Sequence, residues 1–128
     1  MANPIINNLS ASMTSFSSAP AVDVQFNLQH TDGLDCDIST NGFQYALASD
    51  LNTWFDCTAH ASLDTTGLQS FATSPGRLTE IRWAVKTDLT SHDEQVKIRV
   101  KVTDTASGSS SYVETTLLSI KTESPTLS

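Results

Sequence analysis

The stretch Val96-Lys97-Ile98-Arg99-Val100-Lys101-Val102 decides the fold class. Every second residue is a β-branched aliphatic and every residue between is a cation, so one side is apolar and the other charged. Only an extended strand, whose side chains alternate between two faces, separates these sets cleanly. The same period of two recurs upstream in Val22-Asp-Val24-Gln-Phe26-Asn-Leu28 and in Ile81-Arg-Trp83-Ala-Val85. Phe43, Tyr45 and Leu47 form a fourth set, and Trp54-Phe55-Asp56-Cys57 opens a fifth segment. Tyr112–Ile120 reads as a last strand whose apolar residues change face near Leu117-Leu118, which predicts a bulge. No 3.6-residue periodicity is sustained over ten residues, so helix is expected to be nearly absent.

Turn chemistry separates these runs. Asp32-Gly33, Asp50-Leu-Asn52, Ser74-Pro-Gly76 and Ala106-Ser-Gly108 fall between strands at the spacing of a two-sheet protein. Asn41-Gly42 admits two readings: a tight hairpin, or a bulge inside one strand running from Cys36 to Leu47. The expectation is an all-β, two-sheet antiparallel sandwich of about seven strands.

The composition agrees. The chain has 128 residues, enough for one domain and one core. Ser (18) and Thr (17) dominate its polar residues and favour turns and strands over helices. The net charge of −7 is unevenly placed: residues 1–76 hold seven Asp and no cation, whereas residues 77–128 balance seven acids with seven bases. Phosphate backbones and anionic lipid surfaces repel such a chain, so neither nucleic acid nor membrane is an expected partner. No apolar run is long enough to span a bilayer as a helix. The opening residues, MANPIINNLSASMTSFSSAP, have neither the basic nor the apolar region of a secretion signal.

Those residues read as an extended N-terminal arm (1–20) with an edge strand around Ile5–Ser12, ahead of the sandwich (21–121) and a short tail (122–128). Pro4, Ile5, Ile6, Leu9, Met13 and Phe16 are the arm's candidate contact residues for a neighbouring subunit. Trp54 and Phe55 are adjacent, so in a regular strand one of them faces outward, and both are candidates for an interaction surface. Trp83 is in phase with Ile81 and Val85 and is expected in the core.

Candidate chemistry is sparse. Asp32, Asp35 and Asp37 in HTDGLDCD offer oxygens for a calcium ion, but without EF-hand spacing, and a solvated acidic turn is the plainer reading. His92-Asp93-Glu94 is a weaker acidic site of the same kind. His30, His60 and His92 share no spacing with Cys36 and Cys57, so neither a zinc site nor a Cys-His nucleophile is written locally. The cysteines read as free buried thiols, with one disulfide as the lesser reading. No cofactor and no catalytic residue is assigned.

Three stretches carry a resemblance: Phe43-Gln-Tyr45 through Trp54, Ser74-Pro75-Gly76 through Trp83, and Asp88-Leu89 followed by Val96 through Asp104. In this order they resemble the immunoglobulin-like and fibronectin-type-III-like repeats of bacterial surface proteins and phage virion proteins, over about three quarters of the chain. The matching residues belong to core and turns, and therefore imply a fold more than a function. The resemblance implies a non-enzymatic virion structural protein: a capsid decoration (cement) protein contacting the major capsid protein or other virion subunits, as a homo-oligomer on the particle. A carbohydrate-binding or adhesion module and a phage tail accessory protein are the alternatives.

Overall fold

The computed structural model describes residues 2–16, 19–89 and 93–122. The strands are β1 (Ile5–Phe16), β2 (Ala19–Gln29), β3 (Cys36–Leu47), β4 (Phe55–Asp56), β5 (Arg77–Trp83), β6 (Asp93–Asp104), β7 (Val113–Glu114) and β8 (Leu118–Lys121). One helical turn, α1 (Val85–Asp88), separates β5 from β6. The strands form two antiparallel sheets, a two-layer sandwich. One sheet has the order β1-β2-β5. The other runs β4-β3-β6-β7, with β8 also on β6.

The alternating residues do what their period requires. Val22, Val24, Phe26 and Leu28 of β2, with Ile81 and Trp83 of β5, project from one sheet into the core. Val96, Ile98, Val100 and Val102 of β6 meet them from the other, and all of these side chains are dry. Trp83 fills the centre, its ring stacked on Tyr45 at a centroid distance of 4.6 Å. Its indole N–H donates to Asp88 Oδ2 at 2.6 Å. That carboxylate also accepts from the backbone N–H and the hydroxyl of Thr58, so α1 delivers an acceptor to an otherwise apolar ring.

Three bulges shape the strands. In β3 the pairing with β6 slips between Ile38 and Phe43, so Asn41-Gly42 is a bulge inside one long strand rather than a hairpin. Asn41 takes a left-handed φ of 56°. A Cβ on Gly42 would lie 2.5 Å from Lys101 O and 2.7 Å from Ser39 O, so only glycine fits. In the last segment the register moves by one residue between Glu114↔Arg99 and Leu118↔Val96, the bulge expected near Leu117. It divides that strand into β7 and β8. Thr115 bridges the gap, its N–H donating to Ile98 O and its hydroxyl accepting from Ile98 N–H.

The third bulge lies where an arm was expected. Residues Ile5–Phe16 are extended, but as a strand of the three-stranded sheet, paired along β2 of their own chain and longer than Ile5–Ser12. The pairing slips at Asn8 and Leu9, with Asn8 at φ 56°. Beyond it Ala11 and Met13 register with the core residues Val24 and Val22 and pack against the core. Asn and Ser between small apolar residues hide this alternation in the sequence.

Candidate functional site

The outer face of the larger sheet carries a linked set of polar and aromatic side chains. Alternation places Lys97, Arg99 and Lys101 of β6 on this face, with Gln44 of β3 registered opposite Arg99. Arg99 lies between two rings, its guanidinium carbon 4.3 Å from the Trp54 centroid and 3.9 Å from that of Tyr112. Its Nε and Nη2 donate to Gln44 Oε1 at 2.9 and 2.6 Å, and Gln44 Nε2 donates to Asp56 Oδ1 at 2.9 Å. Tyr112 is fixed in turn by its hydroxyl, which donates to Asn41 O at 2.7 Å.

The adjacent aromatic residues separate as strand geometry demands. Asp50 builds the preceding turn by accepting from Thr53 Oγ1 and Asn52 N–H, which delivers Trp54 to the outer face. Phe55 registers with Tyr45 and its ring lies 5.5 Å from the tyrosine ring, at the rim of the sandwich with 45% of its surface exposed.

The N-terminal candidates do not gather into one surface. Pro4 and Ile6 are buried, Leu9 and Met13 are half-buried against the core, and Ile5 is 46% exposed on the opposite side of the strand. The side chain of Phe16 lies outside the described residues. What β1 presents outward is its backbone. It ends the sheet, and among the described residues it pairs with β2 alone. No charged residue occurs in the first 22 positions.

The acidic turn is spread out. Asp32 and Asp35 are exposed, and Asp37 Oδ1 accepts from Gly67 N–H at 2.9 Å. Among the described residues no three His, Cys, Asp or Glu side chains are grouped as a metal ion would need. Of the His92-Asp93-Glu94 candidate, His92 and the side chain of Asp93 lie outside the described residues, and Glu94 is half-buried on β6.

A pair that sequence reasoning missed lies just beneath this turn. His30, after β2, and Asp104, ending β6, meet at 2.8 Å between Nε2 and Oδ2, both side chains wholly buried. The Asp32 N–H donates to His30 Nδ1 at 3.0 Å, so that nitrogen carries the lone pair and Nε2 holds the proton given to Asp104. Asp104 Oδ1 accepts from the N–H groups of Ala106 and Gly108, each at 2.8 Å. The His30 hydrogen bond and these amides hold the Asp104 carboxyl below its usual range against the opposing effect of burial. With both ring nitrogens engaged and no surface exposed, His30 is a tie between the two sheets. The partners are 74 positions apart, and no local spacing announces them.

Both cysteines are free. Burial pushes Cys36 up to about 11 and Cys57 well above the ordinary thiol value, with neighbouring Asp carboxylates adding to each shift. Neither is poised as a nucleophile.

Fold and surface together define an all-β antiparallel sandwich with one braced cation–aromatic face and one open, uncharged edge. Comparison with protein-family models, curated proteins and solved structures finds no match.

Proposed function

We propose that this chain is a non-enzymatic structural subunit of a phage virion, a capsid decoration protein that stabilises the particle through contacts between subunits. The observation that carries the reading is β1: a long edge strand without a charge or a proline, paired among the described residues with β2 alone. Natural sheets guard exposed edges with such devices, and an edge that lacks them suits pairing with another chain. The division of strands, β1-β2-β5 against β4-β3-β6-β7, fits the immunoglobulin-like and fibronectin-type-III-like resemblance noted in the sequence. The major capsid protein or another virion subunit is the partner in this reading, with the virion as the place where the protein works. The acidic, Ser/Thr-rich surface suits a particle exterior.

A sugar-binding reading gains nothing from Trp54, because Arg99 already covers one face of its ring. The test compares particles assembled with and without the protein under heat and osmotic stress. Particles lacking it should leak sooner, and adding the purified protein should restore them. Equal survival, with no protein retained on washed particles, overturns the proposal.

A further inference from the structure

We propose that the free edge of β1 pairs, antiparallel and about a two-fold axis, with β1 of a second copy of this chain. The inference deepens the reading above, that the protein works through subunit contacts, by naming what the edge binds.

From Ser10 to Phe16 the strand keeps an unbroken register with β2, which leaves its other side as a straight edge of seven residues. At ~3.4 Å per residue this is about 24 Å of backbone available for a partner. The bulge at Asn8 and Leu9 interrupts only the part before it. The other edges are partly covered, charged or short among the described residues. Along β5, His60 N–H donates to Arg82 O and Ala84 N–H to Thr58 O, so the loop after β4 covers the end of that edge, and the rest of the strand carries Arg77 and Glu80. β4 has two residues, one of them Asp56, and β8 has four, ending in Lys121.

Charge selects the occupant. A chain with a net charge of −7 resists approach to its own copy wherever acids face each other. Two β1 strands bring no charge of their own to their junction. Self-pairing also closes on itself, because β1 is then used on both sides and nothing propagates. With the axis near Met13, Ser12 lies opposite Thr14 of the second copy. Met13, half-buried, borders an open depression of about 550 Å³ with Thr14, Pro20, Ser119 and Lys121, which leaves room beside the strand for the second copy's Met13. An interface this narrow falls below the ~1,200 Å² of ordinary stable complexes, so the dimer forms in proportion to concentration.

Light scattering on the isolated protein is the first test: the mass should rise from one chain to two with concentration. Met13→Cys should give a disulfide-linked dimer on oxidation, while Thr66→Cys, on an exposed turn, should not. Ser12→Lys and Ser12→Glu should each weaken association by roughly tenfold or more, because the two new charges stand diagonally across the axis. Mixing these two variants should restore it. Circular dichroism confirms that each variant is folded. A parent that stays monomeric at every concentration overturns the proposal. So does a Met13→Cys protein that does not cross-link, or a pair of Ser12 variants that associate as the parent does. Dimerisation without any binding to particles would leave this inference standing and remove the decoration reading, so the two fail separately.

Discussion

Replacing Trp83 with phenylalanine probes how the two sheets are joined. The indole is wholly buried, stacks on Tyr45 and donates to Asp88. Phenylalanine keeps the stack but loses roughly 40 Å² of apolar surface, about 1 kcal/mol at 25 cal/mol per Å². The lost hydrogen bond to a carboxylate is worth about 1.5–3 kcal/mol, and incomplete closure of the space left behind adds a smaller term. The sum is about 3 kcal/mol. In a chain of this size each kcal/mol lowers Tm by roughly 3–5 °C, so Trp83→Phe should melt about 10 °C below the parent. Urea unfolding followed by circular dichroism measures the difference at constant temperature. Asp88→Asn, in the parent and in Trp83→Phe, completes a cycle whose coupling isolates the hydrogen bond. A Trp83→Phe protein within 1 kcal/mol of the parent, taking ~1 kcal/mol as a typical single-mutant effect, would refute the central role given to this ring.

Other consequences are as direct. Gly42→Ala should destabilise by about 1–3 kcal/mol in urea titrations, because the added methyl meets the carbonyls of Lys101 and Ser39. The Asp104 carboxyl titrates lower in the folded chain than in the unfolded one. Its contribution is therefore complete above the ordinary carboxylate range and is lost as pH falls through the folded value. Melting curves of the parent and Asp104→Asn should differ at neutral pH and converge in acid; a constant gap would contradict the assignment. Cys36, which is buried where Cys57 is half-buried, should react with a thiol reagent at mildly alkaline pH only after denaturant is added, and rapid labelling of Cys36 in a folded Cys57→Ser protein would contradict that burial. Trp54→Ala should cost no more than about 1 kcal/mol, since the stack on Arg99 sits at the surface.

The sandwich was legible because its inner strands alternate without interruption. β2, β5 and β6 put large aliphatic residues on one side and polar ones on the other, and that period admits a single backbone geometry. Trp83 followed from its phase, and the bulge near Leu117 from a change of phase. β1 was read only in part, since Asn, Ser and Thr carry little contrast and its pairing depends on β2 rather than on its own residues. The Asn41-Gly42 ambiguity needed tertiary contact to resolve, because the carbonyl that demands glycine belongs to Lys101 on another strand. Long-range polar pairs were illegible for the same reason. His30 meets Asp104, and Arg99 meets Trp54 and Tyr112, only because antiparallel strands carry distant residues to the same end or face.

The order of strands within the sheets also governs when the molecule can fold as it leaves the ribosome. β2 needs β5, and β3 needs β6, so neither layer is complete until the second half of the chain has been synthesised. Until then the β1–β2 hairpin is the longest pairing available to the nascent chain, and its inner side, Val22 through Leu28, has nothing to cover it. Such reliance on distant partners slows folding, with rates in the ms–s range usual for sandwiches of this kind. The seven Asp side chains of residues 1–76, still without a single counter-charge, repel neighbouring nascent chains and keep that greasy hairpin dispersed until β5 and β6 arrive.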